Sequence, residues 1–292
     1  MSKMQPMTGV AADDLESLPY PLLASTKMDG CRSIVTPDGA RTRSMKTIPN
    51  RHMQRLISSL PHGLDGEIGV IGNDGAVNFR ATSKAFMTEE GESPFVFHVF
   101  DNYLTPGPFL TRWGNLPDMS LDWVKIVNQR EVYSPEDVRM QFSLALSEGH
   151  EGLILRRGDA AYKFGKSTLK EAGLLKVKPW QDDEAVVVGM VQEFENTNEA
   201  VKDERGLSKR SSAKSGKVPK NSMGTLIVRS PKWPSEFEIG TGFNAEERAL
   251  FWKDRDFFIG KIAKFKYIMV GGYDVPRSCV FLGFRPLEDT EF

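Results

Sequence analysis

Short blocks along the chain carry residues that can do phosphoryl chemistry. The first is "ASTKMDGCRSIV", residues 24–35, in which Lys27 is followed within five residues by Asp29, Gly30 and Arg32. A lysine attacks only after losing a proton, and its ordinary pKa of about 10.4 falls through neighbouring cations or removal from water. "LLKVKPW" offers such cations, because alternation along a strand sends Lys176 and Lys178 to one face and Leu175 and Val177 to the other. That face reads either as a solvated strand surface or as a polyphosphate clamp that also activates the nucleophile. Asp65-Gly66-Glu67 and Glu151-Gly152 each set an acid beside a glycine, where a backbone or a ligand can approach closely. These acids read as turn caps or, with a nucleotide bound, as holders of ribose hydroxyls and a divalent cation, for which oxygen ligands and Mg²⁺ are a natural pairing.

Composition narrows the field. The chain has 292 residues and 40% apolar content, enough for two modest domains or one large one. Its 38 basic and 39 acidic side chains leave a net charge of -1, so any nucleic-acid binding rests on local patches. Cys31 and Cys279 are too few for a disulfide framework, which suits a reducing compartment. His52, His62, His98 and His150 lack ligand spacing, so no protein-held transition metal is expected. His98, inside an apolar run, reads as a packed or edge histidine and not as a base. The first twenty residues lack a signal-peptide apolar region, and no run of about 18 apolar residues occurs, so the expectation is an intracellular protein that does not span a membrane. Neither a GxxxxGK[ST] phosphate loop nor a GxSxG elbow is present.

The elements that must position these blocks are hairpins, single strands and a few helices. Pro37-Asp38-Gly39 in "SIVTPDGARTRS" and Asn73-Asp74-Gly75 in "DGEIGVIGNDGAVNF" predict two hairpins. "PFVFHVFD", residues 94–101, predicts a strand buried on both faces. Residues 135–149 predict a helix burying Val138, Phe142, Leu144 and Leu146 and ending at Gly149. "EGLILRR" and "GLLKVKPW" follow as strands, and the mixture indicates α+β with antiparallel sheets and flanking helices over residues 1–179. A second unit, 180–292, opens with "QDDEAVVVGMVQEF" and contains strands "GTLIV", "FEIGTGF", "AKFKYIMV" and "VFLGF" with a helix capped by Asn244 and Glu247, a pattern compatible with an OB-fold β-barrel. Within it, residues 202–222 form a polar, basic insertion carrying Lys209, Arg210, Lys214 and Lys217, read as an exposed loop or long hairpin.

Taken in order, KxDGxR at Lys27–Arg32, DGE at Asp65–Glu67, VFD at Val99–Asp101, EGLILR at Glu151–Arg156 and LLKVK at Leu174–Lys178 resemble the motifs of covalent nucleotidyltransferases. "YKFGKSTLKEAGLLKVK", "KRSSAKSGKV" and "IGTGFNAEER" carry the likeness further, to the minimal ATP-dependent DNA ligases of viral type, and it runs over nearly the whole chain. The resemblance implies an adenylyltransferase domain followed by an OB domain. It implies that Lys27 attacks the α-phosphate of ATP, that AMP passes to the 5′-phosphate of a nick, and that the 3′-hydroxyl displaces AMP to seal the strand. By motif, Asp29 orients the nucleophile, Arg32 holds the ribose or nucleotide phosphate, Glu67 contacts the ribose, Phe100 stacks on adenine and Lys176 and Lys178 bind the α-phosphate. Glu67 and Glu151 become the ligands of Mg²⁺, with Mn²⁺ as a substitute.

The same resemblance gives Arg43 the nick 5′-phosphate and makes the basic insertion a latch that closes a monomeric clamp on duplex DNA. Lys166 stands where the family has an arginine, which keeps a charge but loses bidentate geometry. The terminal motif of the family keeps Arg285 and Asp289, but Thr290 follows where a basic residue is expected. A viral or phage source fits the likeness. Two other classes share part of the logic: an RNA ligase or GTP-dependent capping enzyme, which shares KxDG, DGE and KxK, and a non-catalytic nick-binding module, which has no use for an intact Lys27 and its clamp.

Overall fold

The computed structural model of the chain describes residues 4–72, 77, 79–204, 206–268 and 275–285. They form two compact units, the first comprising the chain up to Lys178 with Asp203–Leu207, the second Pro179–Lys202 and everything from Ser208. No helix among the described residues is long and apolar enough to cross a membrane.

The first unit begins with β1 (Met7–Thr8), β2 (Val10–Ala11), β3 (Leu22–Thr26), β4 (Cys31–Thr36), β5 (Gly39–Thr42), α1 (Arg51–Ser58), β6 (Leu64–Val70) and α2 (Phe79–Met87). It continues with β7 (Phe95–Asn102), α3 (Phe109–Gly114), β8 (Val124–Ile126), β9 (Arg130–Val132), α4 (Pro135–Ser147), β10 (Leu153–Arg156), β11 (Gly165–Lys166) and β12 (Leu175–Val177). Two five-stranded sheets result, ordered β2-β12-β10-β3-β9 and β5-β4-β6-β7-β8. Each has its own apolar core: Leu22, Val138, Leu153 and Leu175 pack in one, Met53, Ile57, Ile68, Phe97 and Val99 in the other. The β4–β5 hairpin closes over Pro37-Asp38, with Thr36 paired to Gly39 and the Thr36 hydroxyl donating to the Gly39 carbonyl at 2.8 Å. The second expected hairpin differs. Its turn residues 73–75 lie outside the described residues, and beyond them Val77 makes one bridge to Ile71 before the chain enters α2.

β7 also differs from a strand buried on both faces. Phe95, Phe97 and Val99 are buried, while Val96, His98 and Phe100 on the other face are half-buried. The apolar run therefore hides a functional face. In α4, capped by Ser134 accepting from the Asp137 amide, Val138 and Ala145 are the buried residues, and Leu144 and Leu146 are exposed. At about 100° per residue, positions 138 and 145 share a stripe that 144 and 146 flank.

The second unit contains β13 (Trp180–Asn196), β14 (Ala200–Lys202), β15 (Ser208–Arg210), β16 (Lys217–Arg229), β17 (Phe237–Ile239), α5 (Ala245–Lys253), α6 (Arg255–Phe258), β18 (Ile262–Ile268) and β19 (Arg277–Phe284). One sheet runs β17-β16-β13-β18-β19 around a core of Val187, Leu226, Phe251, Phe265 and Phe281. Among the described residues a single Thr241–Val280 bridge links the β17 end to β19, without a continuous closing ladder. Asn244 and Glu247 form the expected capping box on α5. Beyond the core, β13 and β16 continue as a two-stranded arm with Asn196 opposite Lys217, and β14 and β15 make a small hairpin in the connection.

Candidate functional site

Register brings the motif residues together before any long-range contact is needed. On one sheet Arg32 pairs with Glu67 and Glu67 with His98, so these side chains form a row on one face, with Phe100 two residues further along β7. On the other sheet Ile154 lies between Ser25 and Lys176, and Lys27 follows directly on β3. Both faces line a cavity of about 290 Å³ in the first unit. Two glycines make the close approach feasible. A Cβ on Gly30 would lie 2.1 Å from the Ile68 carbonyl oxygen, and Gly152, at φ +141°, would meet the Val177 carbonyl at 2.2 Å. The Lys27 amide donates to the Gly152 carbonyl at 2.9 Å, which joins the first and fourth motifs.

Among the described residues, six basic side chains line this cavity, Lys27, Arg32, Arg43, Arg156, Lys176 and Lys178, together with one acid, Glu67. The Lys27 ammonium donates to Oε2 of Glu151 and the Lys178 ammonium to Oε1, so one carboxylate bridges both. Burial alone would raise the Glu151 pKa, but the two lysines outweigh it and hold the carboxyl below its ordinary value. Lys176 keeps to the same face without that partner. Burial, and then the charges of Arg43, Lys27, Lys178 and Arg32, lower its pKa to about 8. Burial raises Glu67 to about 7 against the opposing pull of Arg32 and Lys27.

Arg32 is held from behind by a bidentate pair with Asp65, both contacts at 2.7 Å, and its guanidinium lies 4.8 Å from the Phe100 ring centre. Arg156, absent from the predicted site residues although it closes the EGLILR block, lines the cavity and lies 5.3 Å from the same ring. Asp101 holds it at 2.7 Å and also holds Arg112 at 2.8 Å. Tyr162 donates to Asp65 at 2.5 Å. Lone residues such as Arg112 and Tyr162 give no local signal in the sequence. The aspartates that collect them sit inside DGE and VFD.

The remaining expected residues lie elsewhere. Asp29 is in the β3–β4 connection and does not line the cavity. Lys166 is exposed on β11, outside the cavity lining. Lys209, Arg210, Lys214 and Lys217 are exposed in the second unit around the arm. Arg285 pairs with Glu184 at 2.5 Å, while Asp289 and Thr290 lie outside the described residues. Chemically, the cavity suits a multiply charged anion presented to a lysine nucleophile.

Comparison with known proteins agrees with this chemistry. Residues 5–178 match the model of the ATP dependent DNA ligase domain, and residues 215–285 that of the DNA ligase OB-like domain. The crystal structure of Chlorella virus DNA ligase-adenylate is 30% identical, with 97% of this chain and 100% of that one covered at a TM-score of 0.56. A Lig E DNA ligase structure, 22% identical, shares the fold over 96% and 99% of the two chains at a TM-score of 0.72. The SPbeta prophage-derived DNA ligase-like protein LigB of Bacillus subtilis is 24% identical over 183 residues, 57% of this chain and 64% of that protein. This chain thus spans less than two thirds of that relative's length.

Proposed function

Because the chain belongs to the family of ATP-dependent DNA ligases, we propose that it seals 5′-phosphate/3′-hydroxyl nicks in duplex DNA through a lysyl-AMP and a DNA-adenylate. The observation that carries this reading is the cavity in which Lys27 stands among five further cations. Positioning and fixed positive charge are what phosphoryl transfer requires of a protein.

In the first step Lys27 Nζ attacks the α-phosphorus of ATP, the bond to the bridging oxygen breaks, and pyrophosphate leaves. Before attack the Lys27 ammonium gives up its proton to solvent and its contact with Glu151 opens. Lys176 and Lys178 hold the α-phosphate, Arg32 and Glu67 the ribose side, and Phe100 the base. Asp29 orients the loop that bears the nucleophile. Arg43 then receives the 5′-phosphate of the nick, and Lys166 and the arm residues Lys209, Arg210, Lys214 and Lys217 hold the duplex as a latch. Residues 1–179 serve as the catalytic domain and 180–292 as the OB domain of a monomeric clamp, with Arg285 and Asp289 as the closing motif.

A divalent cation fits the donor set in one way only. No cluster of three or more His, Cys, Asp or Glu side chains that could hold a metal occurs among the described residues, but Mg²⁺ commonly binds one or two carboxylates plus substrate phosphates. Glu67, and Glu151 once its lysines turn to phosphate, would hold it. When bound it would offset charge on the triphosphate.

Incubation with ATP labelled at the α-phosphate should give a covalent protein–AMP in the wild type and none in Lys27→Ala. Absence of label on the wild type would sink the proposal. Nicks with RNA on the 3′-hydroxyl strand, and GTP in place of ATP, test the RNA-ligase and capping readings in the same assay.

A further inference from the structure

Two buried aspartates stand behind the arginines of the cationic cavity, and they are held to different degrees. Asp101 accepts from the Asn102 amide, twice from Arg112 and once from Arg156, all within 3.2 Å. Asp65 has fewer partners. Among the described residues its carboxylate accepts only from Arg32, twice at 2.7 Å, and from the Tyr162 hydroxyl at 2.5 Å. The tyrosine contact falls on Oδ2, the oxygen that also takes Nη2 of Arg32.

We propose that Tyr162, which does not itself line the cavity, is a positioning residue for nucleotide binding: its hydroxyl fixes the plane of the Asp65 carboxylate and so aims the Arg32 guanidinium into the cavity. The inference rests on the nucleotide-transfer reading above and adds to it a residue that acts through another.

The geometry carries it. The terminal torsion of an aspartate is soft, so a carboxylate held by one guanidinium alone can turn, and the guanidinium forked onto it turns with it. A second donor on Oδ2 removes that freedom. The donor is itself fixed, because the Tyr162 oxygen accepts from the Met7 amide at 3.1 Å, which leaves its O–H directed at Asp65. Its ring packs against Tyr103 and Phe164, with centroids 6.0 and 5.7 Å away. Burial, and then the charge of Asp65, hold the phenol well above its ordinary pKa, so it keeps the proton that it donates. Tyr103 marks the contrast within the same aromatic cluster: its hydroxyl donates to the Val35 carbonyl at 3.2 Å and not to Asp65.

The test measures the affinity of the full chain for α,β-methylene ATP by calorimetry. Tyr162→Phe keeps the ring and removes the hydroxyl, and it should weaken binding by about tenfold, the worth of one hydrogen bond to a charged group. Tyr103→Phe, an equal deletion in the same cluster, should leave the affinity within about twofold of wild type. Arg32→Lys keeps the charge without the fork, and in that background Tyr162→Phe should cost less than about twofold, because no guanidinium is left to aim. With thermal melts showing that the variants fold, three results each overturn this inference alone: an unchanged affinity in Tyr162→Phe, an equal loss in Tyr103→Phe, or the full loss in the Arg32→Lys background. A Tyr162→Phe chain that does not fold overturns it as well, since the hydroxyl would then hold the unit together and not one guanidinium. A wild type that neither binds the analogue nor takes label from ATP overturns the ligase reading and this inference with it.

Discussion

Lys176 carries its charge only below about pH 8 in the free protein, because burial and four neighbouring cations favour the neutral amine. Its positive form therefore predominates at pH 7 and is lost as the pH rises through 8. Affinity for α,β-methylene ATP, which cannot be cleaved at the α-phosphorus, should weaken by roughly tenfold between pH 7 and pH 9.5, the worth of one charge-assisted contact. Lys176→Arg should flatten this profile, because a guanidinium stays charged throughout. An unchanged profile in the variant would assign the dependence to another group. Cys31 shows the opposite setting: next to Arg32 in sequence, it is pushed up to about 12 by burial and then by Glu67 and Asp29, so it stays a thiol and is chemically quiet.

At the scale of elements, β6 and β7 present their acids on opposite sides of one task. Glu67 faces the cavity, whereas Asp65 and Asp101 are fully buried and fix the arginines that line or support it. Arg112 is buried as well, and besides Asp101 it donates to the carbonyls of Gly107 and Ala160 at 2.9 Å. Removing one member of such a network strands charge and backbone acceptors away from water. Arg112→Ala should cost about 3–5 kcal/mol in chemical denaturation, with a loss below about 1 kcal/mol counting against a structural role. Much of this frame was legible beforehand. Alternation placed Lys176 and Lys178 on one face, the Pro37-Asp38 turn fixed the β4–β5 register, and Asn244 marked the start of α5. Contacts between distant residues escaped, since Tyr162 reaches Asp65 across 97 positions with no periodicity to announce it. The two-faced character of β7 escaped too, because Phe100 is as apolar as the core residues beside it.

For the whole molecule, a net charge of -1 means that attraction to DNA depends on where the cations stand. Five of them, Lys209, Arg210, Lys214, Lys217 and Lys220, are exposed around the arm of the second unit. Each phosphate contact contributes about 0.9 to the slope of log affinity against log salt. Replacing Lys209, Arg210, Lys214 and Lys217 by alanine should lower the slope for nick binding by about three to four, as read by fluorescence anisotropy, while self-labelling with ATP persists. Equal loss of both activities would show that the arm supports the fold and not the duplex. Glu151 has a further consequence for the resting protein. By occupying Lys27 and Lys178 together, it acts as a tethered counter-ion at an effective concentration of about millimolar or above, which chloride or acetate must displace as a free, singly charged competitor. On the nucleotide-transfer reading a triphosphate brings enough charge to do so, and the site would then screen ligands by valence before any chemistry starts.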